Sequence, residues 1–202
     1  MKMLLPACLS LLAALAGCSS TPAPPIEYYV LAPAVSATDS VVELANRPTV
    51  VIESVDLAAY LRQSGMIIQT GNNQLLVSRT HLWAESLELA LPKALLRKLQ
   101  QQSDQYSYYL KTLDWVGQTD YRLRLRVDSL QATEQGEVVA AGRYQIIPAK
   151  SPLDPVFVDF NLHRDLQQDG YAAAVAEINA LLGQIAAAIL ASVDKLEAEA
   201  GP

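Results

Sequence analysis

Apolar residues recur along this chain with two different periods, which predict strands in some segments and helices in others. In residues 119–131 the apolar side chains stand at every second position, which is the pattern of a strand with one buried face. Segments rich in β-branched or aromatic residues predict further strands at residues 26–31, 49–55, 66–70, 74–78, 106–113, 138–147 and 156–162. Gly71-Asn72-Asn73 predict a hairpin turn between two of them, because glycine and asparagine tolerate positive φ.

A spacing of three to four residues between apolar positions predicts a first helix that begins at Trp83. The positions on its apolar face are Trp83, Leu87, Ala90, Leu91, Ala94, Leu95 and Leu99. Pro92 falls inside this pattern and lacks a backbone donor. We therefore expect the helix to kink there or to restart with Pro92 in its first turn.

A second, longer helix is predicted near the C-terminus, with Asp169 as its N-cap. Its apolar stripe consists of Tyr171, Val175, Ile178, Leu182, Ile185 and Ile189. Together the elements predict one α/β domain over residues 26–196, in which a mixed sheet of about six to seven strands is covered by two main helices. Residues 197–202 form an acidic tail that we expect to fray.

The first residues have the pattern of a secretory signal. Lys2 provides a positive start, residues 4–16 are apolar, and Leu15-Ala16-Gly17 supply small residues before Cys18. Leu15-Ala16-Gly17-Cys18 resembles the bacterial lipobox, in which the cysteine is acylated. Residues 1–17 are thus predicted to be a removed signal peptide, and Cys18 to be the lipid anchor, carrying acyl chains such as palmitate. A free or disulfide-paired Cys18 is the alternative, but Cys8 leaves with the leader and no other cysteine remains for pairing.

Residues 18–25 are predicted to form a lipidated, proline-rich tether, because proline favours extended polyproline II. In lipoproteins an aspartate after the cysteine is the usual inner-membrane retention signal, and here Ser19 follows Cys18. We therefore expect the protein at the periplasmic face of the outer membrane of a Gram-negative bacterium. The net charge of −6 becomes −7 when Lys2 leaves with the leader, which argues against nucleic-acid binding.

No local signature of a common enzyme class stands in the sequence. The serine elbow of hydrolases, the phosphate-binding loop and the dinucleotide fingerprint are all missing. The two histidines, His81 and His163, lie far apart and have no close ligand pair, and His81 with Glu85 is more typical of a surface pair. We predict a protein that is not an enzyme and that needs neither metal nor cofactor.

Three features of the sequence are candidates for contacts with partners. Arg122, Arg124 and Arg126 share one face of a strand, where they could meet lipid phosphate or an acidic partner. The favoured alternative is an ion-pair face completed by Asp159 and its neighbours. The aromatic residues Tyr106, Tyr108, Tyr109 and Trp115 fit either an interface or the core.

The third feature is a small-residue face on the terminal helix, which would let another backbone approach closely. It consists of Ala172, Ala176, Ala180, Gly183 and Ala187. Burial within one subunit is the favoured account of this helix, and self-association is the alternative.

Four landmarks in order carry a family resemblance: the lipobox, the strand Tyr28-Tyr29-Val30-Leu31, the segment from Asn73-Gln74-Leu75 to Trp83-Ala84-Glu85, and the helix opened by Asp169-Gly170-Tyr171. This arrangement resembles the ABC-type transport auxiliary lipoproteins, specifically the PqiC/YmbA family encoded beside paraquat-inducible intermembrane transport proteins. Trp83-Ala84-Glu85 is the most specific motif. The family usually continues it with proline, whereas Ser86 stands here and can cap a helix.

The resemblance implies a component of an intermembrane lipid-transport bridge. Such a component docks a periplasm-spanning MCE-domain protein at the outer membrane, helps phospholipid to pass, and forms a homo-oligomeric ring. The alternatives are a structural outer-membrane lipoprotein of a secretion or barrel-assembly complex, and an enzyme whose site carries no recognisable motif.

Overall fold

A computed structural model describes residues 23–31, 47–111, 117–150 and 152–200. The strands are β1 (Glu27–Tyr29), β2 (Thr49–Leu57), β3 (Gly65–Gly71), β4 (Gln74–Trp83), β5 (Ser107–Leu110), β6 (Tyr121–Thr133), β7 (Glu137–Pro148) and β8 (Val156–Asp165). The helices are α1 (Leu87–Gln102) and α2 (Tyr171–Ala200), and a 3-10 helix (Ala59–Arg62) follows β2. The predicted α/β class, the mixed sheet and the two helices are confirmed, and the described sheet has eight strands.

The long strand β6 organises the sheet, because both of its edges are paired. The N-terminal half of β6 pairs with β2 in parallel, and its end pairs with β3 through Ile68 opposite Ala132 and Gln69 opposite Thr133. On its other edge β6 pairs antiparallel with β7, and β7 pairs with β8. The short β1 pairs in parallel with β4, and β5 in parallel with β2, which completes the mixed sheet.

The core lies between one face of this sheet and the two helices. Alternate residues of β6 are buried on that face, as their period predicts: Tyr121, Leu123, Leu125 and Val127. The helix α1 packs on β2 and β5, α2 packs on β6, β7 and β8, and the two helices contact each other. Charged side chains such as Arg124 and Arg126 project from the opposite face and are exposed.

The first helix begins later than its apolar spacing predicts. Trp83 is the last residue of β4, opposite Tyr29 of β1, and the helix starts at Leu87 after Ser86 with ψ of 141°. The prediction that the helix includes Trp83 is wrong, because pairing with β1 keeps the chain extended there. Pro92 lies within the continuous helix α1, so the helix does not restart at this residue.

The terminal helix has the predicted stripe but different ends. Its first intrahelical bond runs from the Ala174 N–H to the Gly170 carbonyl, so Gly170, with φ of +108°, precedes the first turn instead of Asp169. Val175, Ile178 and the rest of the stripe up to Ile189 are buried, and Tyr171 is half-buried. Residues 197–200 of the predicted tail continue α2 as helix and are exposed, and residues 201–202 lie outside the described part.

By length and composition alone, Tyr171–Ala200 could cross a membrane, with a mean hydropathy of 1.7 in its most apolar window. Half of that window is buried within the protein. Glu177 is also buried, and its carboxylate accepts a hydrogen bond of 2.5 Å from Arg164 on β8. These contacts are typical of a core helix that packs on a sheet.

Candidate functional site

The N-terminal segment enters the domain at one edge of the described sheet. Cys18, the predicted lipid anchor, lies outside the described residues, which begin at Ala23. The strand β1 follows, and Ile26, Tyr28 and Val30 on and beside it are all more than half exposed. A force that acts on the N-terminal segment is therefore transmitted to the domain first through β1, and a partner that binds this segment lies next to β1.

Trp83 joins three elements where β4 ends. Its backbone N–H donates to the Ser64 carbonyl at 2.7 Å, and the N–H of Ala84 donates to the Tyr29 carbonyl at 2.8 Å. Glu85 accepts a hydrogen bond of 2.5 Å from Nζ of Lys93, one turn and a half into α1. The motif Trp83-Ala84-Glu85 thus holds β1, β4 and α1 together, with Trp83 only 7% exposed.

The indole of Trp83 forms one wall of an apolar cavity of about 100 Å³ between the 3-10 helix, β3, the end of β6 and the start of α2. Its inner walls include Leu61, Leu87 and Ile178, each about 1% exposed. Its rim includes Leu166, Gly170 and Tyr171, which are exposed or half-buried. Of the cavity residues, sequence motifs singled out Trp83 and the pair Gly170-Tyr171, and most of the others come from distant segments of the chain.

Gln131 is the buried polar residue of the cavity wall, and its side chain is satisfied by the protein. Its Oε1 accepts from the Leu130 N–H at 2.8 Å and from the Tyr60 hydroxyl at 3.2 Å. Its Nε2 donates to Oε1 of Gln69 at 3.2 Å. Because these bonds are made within the protein, Gln131 offers the cavity little polar character.

Aromatic residues from three elements meet at the cavity rim. The rings of His81 on β4 and Tyr171 on α2 are stacked with centroids 3.9 Å apart. The Tyr29 hydroxyl lies 3.1 Å from Nδ1 of His81 and donates to Glu27 at 2.5 Å. The bond to Glu27, with burial, raises the pKa of Tyr29 to about 12.

The histidines take different positions from those expected of a surface pair or a metal site. His81 lies 3.6 Å from Glu27, while Glu85 pairs with Lys93, so the expected pairing of His81 with Glu85 is wrong. His163 is exposed on β8. Among the described residues, no three His, Cys, Asp or Glu side chains are grouped as metal ligands.

The arginine ladder lies on the open face of the sheet, among carboxylates. Arg124 donates to Glu53 at 2.6 Å, and Arg126 lies 3.0 Å from Asp128. Asp159, expected to face the ladder, instead binds Arg143, because β7 stands between β6 and β8. The Nε atom of Arg122 is buried without a hydrogen-bond partner in the described structure.

Two cationic side chains bind the carboxylate of Glu53 at this face. Its carboxylate accepts from Lys111 at 2.8 Å and from Arg124 at 2.6 Å. These bonds, with the Lys111 contribution largest, hold the pKa of Glu53 below its ordinary value. Two residues of the ladder, Arg124 and Arg126, are therefore engaged in ion pairs within the chain, as the ion-pair interpretation expects.

The tyrosines considered as an interface lie mainly in the core. Tyr106 and Tyr108 are buried and meet edge to face, with ring centroids 6.2 Å apart. The Tyr106 hydroxyl donates to Asp194 of α2 at 2.7 Å. Tyr109 is half-buried, and Trp115 lies outside the described residues.

The small-residue face of α2 is only partly covered. Ala172, Ala176 and Ala187 are exposed, whereas Ala180 and Gly183 are half-buried. At Gly183 the carbonyl accepts a hydrogen bond of 2.9 Å from Gln102 of α1. The exposed alanines leave a flat strip of helix surface within the described chain.

The fold and the candidate site define a two-layer α/β domain with an N-terminal edge strand and an apolar cavity beside it. Residues 29–190 match the model of the ABC-type transport auxiliary lipoprotein component, and the chain belongs to that family. This confirms the family predicted from the motifs.

Relatives agree with this assignment. The intermembrane transport lipoprotein PqiC of Escherichia coli K12 is 27% identical over 182 residues, covering 90% of this chain and 93% of the relative, and PqiC of Shigella flexneri gives the same values. The fold also matches a crystal structure of an uncharacterized protein, with a TM-score of 0.69, 20% identity and coverage of 84% of this chain and 99% of that one. A structure from Xanthomonas campestris matches with a TM-score of 0.60, 15% identity and coverage of 81% and 92%.

Proposed function

We propose that this protein is the outer-membrane lipoprotein of an MCE-type intermembrane phospholipid transport system. The observation that carries the proposal is the family match over residues 29–190, supported by the likeness to an intermembrane transport lipoprotein along nearly the whole chain. In this role the protein binds the end of a periplasm-spanning MCE-domain protein and holds it at the outer membrane.

The location of the protein in this role follows from a lipid anchor at Cys18. Acylation of Cys18 fixes the chain to the periplasmic face of the outer membrane, since several acyl chains together bind effectively permanently. The tether of residues 18–25 spans roughly 25 Å when extended, at about 3.1 Å per residue. The domain can then stand clear of the lipid and receive a partner that arrives from the periplasm.

The oligomeric state that suits this role is a homo-oligomeric ring. An MCE-domain tube is built from symmetric subunits, and a symmetric receiver matches it with repeated contacts. The exposed Ala172, Ala176 and Ala187 of α2 are the surface that we assign to the contact between copies, because small side chains allow close approach of backbones. The arginine-bearing face of the sheet is the second candidate for partner contact.

The test is purification of the full-length, affinity-tagged protein from detergent-solubilised envelopes, with mass spectrometry of proteins and phospholipids. We expect an MCE-domain protein and phospholipid to co-purify with it. Enrichment of secretion or barrel-assembly subunits without an MCE protein would support the scaffold alternative and overturn the proposal. A second lipoprotein of the same membrane, carrying the same tag, controls for nonspecific capture.

A further inference from the structure

We propose that the cavity beside Trp83 is a binding site for the end of a hydrocarbon chain. The proposal deepens the function above, since it rests on lipid transport for the source of the chain and gives the domain a direct contact with lipid. The described cavity has the chemistry, the access and the neighbouring surface that such a ligand needs.

The chemistry of the walls, which are mainly apolar, favours an apolar ligand. Trp83, Met66, Leu130 and Ile178 are apolar and less than 10% exposed, and the side chain of Gln131 is bonded within the protein. A cavity without polar partners does not hold ordered water well, and apolar cavities of about 150 Å³ take up benzene or xenon. A volume of about 100 Å³ therefore suits a few methylene groups at the end of a chain.

Access to the cavity lies at the start of α2. Gly170 lines the cavity and is exposed, so the cavity reaches the protein surface at this point. Tyr171 and Leu166 flank the opening and are half-buried. A chain can thus enter from solvent at the rim and end against the buried walls.

The rest of a long chain also has an apolar surface to follow. Ile68 of β3 lines the cavity, and Leu76 stands opposite it on β4. Paired residues of neighbouring strands project from the same face, so Leu76 continues the wall outward. Leu76 is 54% exposed, so its apolar surface is available to a chain that leaves the cavity.

Two sources could supply the chain: a membrane phospholipid, or the acyl groups on Cys18 of the same molecule. The nine residues from Cys18 to Ile26 reach at most about 30 Å when fully extended, so the protein's own lipid is a possible occupant. Both ligands present the same hydrocarbon to the cavity. The experiment below separates them.

The test uses Trp83 as the reporter, because its indole forms a cavity wall. The chain contains two tryptophans, so Trp115→Phe leaves Trp83 as the single emitter. The full-length protein is reconstituted into vesicles of phosphatidylethanolamine and phosphatidylglycerol whose acyl chains are brominated near their ends, and into the same vesicles without bromine. Bromine quenches indole emission at contact, so we expect a loss of Trp83 emission in the brominated vesicles.

Filling the cavity supplies the control. Ala174 is a buried wall residue, and Ala174→Leu should abolish the quenching, whereas Ala191→Leu, an equal change at an exposed position of the same helix, should leave it intact. Circular dichroism and thermal unfolding verify that each variant is folded. Ala132→Val fills the cavity from β6 if Ala174→Leu does not fold.

A Cys18→Ser protein, exported with an ordinary cleavable leader, identifies the source; because it lacks a bilayer anchor, it and the lipidated protein are also compared in mixed micelles that contain the brominated phospholipid. Quenching in the lipidated protein assigns the site to phospholipid, and quenching only in Cys18→Ser assigns it to the protein's own anchor. Absence of quenching in both, or equal quenching in Ala174→Leu, overturns the proposal. These vesicles contain no partner protein, so the result is independent of the co-purification that tests the proposed function.

Discussion

The imidazole of His81 lies flat against the phenol of Tyr171, with 16° between the two planes. This contact joins the end of β4 to the first residue of α2, and Tyr29 of β1 leans on both rings at centroid distances of 5.9 Å and 6.3 Å. The edge strand, the hairpin and the terminal helix therefore meet at one aromatic cluster beside the cavity rim.

Removing the ring of Tyr171 should weaken the domain. Tyr171→Ala is expected to lower the free energy of unfolding by about 1–2 kcal/mol, because a stacked pair and part of a buried ring are lost. Tyr171→Phe retains the stacked ring and should lower the free energy of unfolding far less. Urea denaturation followed by circular dichroism measures both, and equal losses in the two variants would contradict a role for the ring.

Trp83 should be one of the most sensitive positions of the domain. Trp83→Ala is expected to cost about 3–5 kcal/mol in the free energy of unfolding, since it enlarges an existing cavity in the core. The neighbouring Ala84 is exposed, so Ala84→Ser serves as the control and should be nearly neutral. Denaturant titration of both variants tests this, and a loss below about 1 kcal/mol for Trp83→Ala would show that the core closes over the gap.

The contrast between Trp83 and β6 explains which parts of the fold could be predicted. In β6 the alternation of Leu123 and Leu125 with Arg124 and Arg126 is local, and it correctly predicts a strand with one buried face. Trp83 stands four residues before Leu87, and this spacing of apolar residues also fits a helix. Its pairing with Tyr29, more than 50 positions away, makes it a strand residue, and no local pattern contains that pairing.

The candidate site was harder to predict for the same reason. Its walls come from Leu61, Leu130 and Ile178, which are ordinary core residues in their own segments. The ion pair of Asp159 could not be predicted from the charge pattern either. Strand order places β7 between β6 and β8, so Asp159 pairs with Arg143 of β7 and not with the arginines of β6. The motifs Trp83-Ala84-Glu85 and Asp169-Gly170-Tyr171 were the sequence signals that pointed to this region.

Glu53 should make stability depend on pH in the acid range. Its pKa is lowered in the folded state, so its ion pairs stabilise the protein above the unfolded-state pKa, and this contribution is lost as the pH falls through the folded-state value. Glu53→Gln should therefore be less stable than the wild type at pH 7, with the difference shrinking toward pH 3.

Urea titrations at several pH values measure this difference. Asp159→Asn removes the exposed pair with Arg143 and is the control; it should have the smaller effect, because water screens exposed charges. A constant difference between Glu53→Gln and the wild type across this range would contradict the ion-pair account.

Tyr106 should make the stability of the protein depend on pH in the alkaline range. Burial, together with its bond to Asp194, raises the pKa of Tyr106 above the ordinary value of 10. A raised pKa in the folded state means that stability is present below pH 10 and is lost above it, as the unfolded tyrosine ionises. Tyr106→Phe should cost about 1 kcal/mol at pH 7, through the lost hydrogen bond, and should flatten the alkaline decline. Thermal unfolding between pH 7 and pH 11 tests both effects, and an unchanged decline would point to other tyrosines.

The proposed lipid anchor at Cys18 can be tested independently of the fold. Cys18→Ser, exported with an ordinary leader, should move the protein from the membrane to the soluble periplasmic fraction, with an unchanged circular dichroism spectrum. Ser19→Ala is the matched control and should leave the protein with the outer membrane. Retention of Cys18→Ser in that membrane after a high-salt wash would mean that another part of the chain holds it there.

The three paired positions of β1 also determine how the protein responds to force. If the protein is anchored through Cys18 as we propose, a pull on the anchor is transmitted to Glu27, and β1 is held by parallel pairing with β4 from Glu27 to Tyr29 and by the ring of Tyr29 against His81 and Tyr171. Under tension β1 is thus the first element to be loaded, and the long pairing of β6 with β7 is shielded behind it. A protein tethered at its N-terminus would then lengthen under strain by releasing this strand before the rest of the domain unfolds.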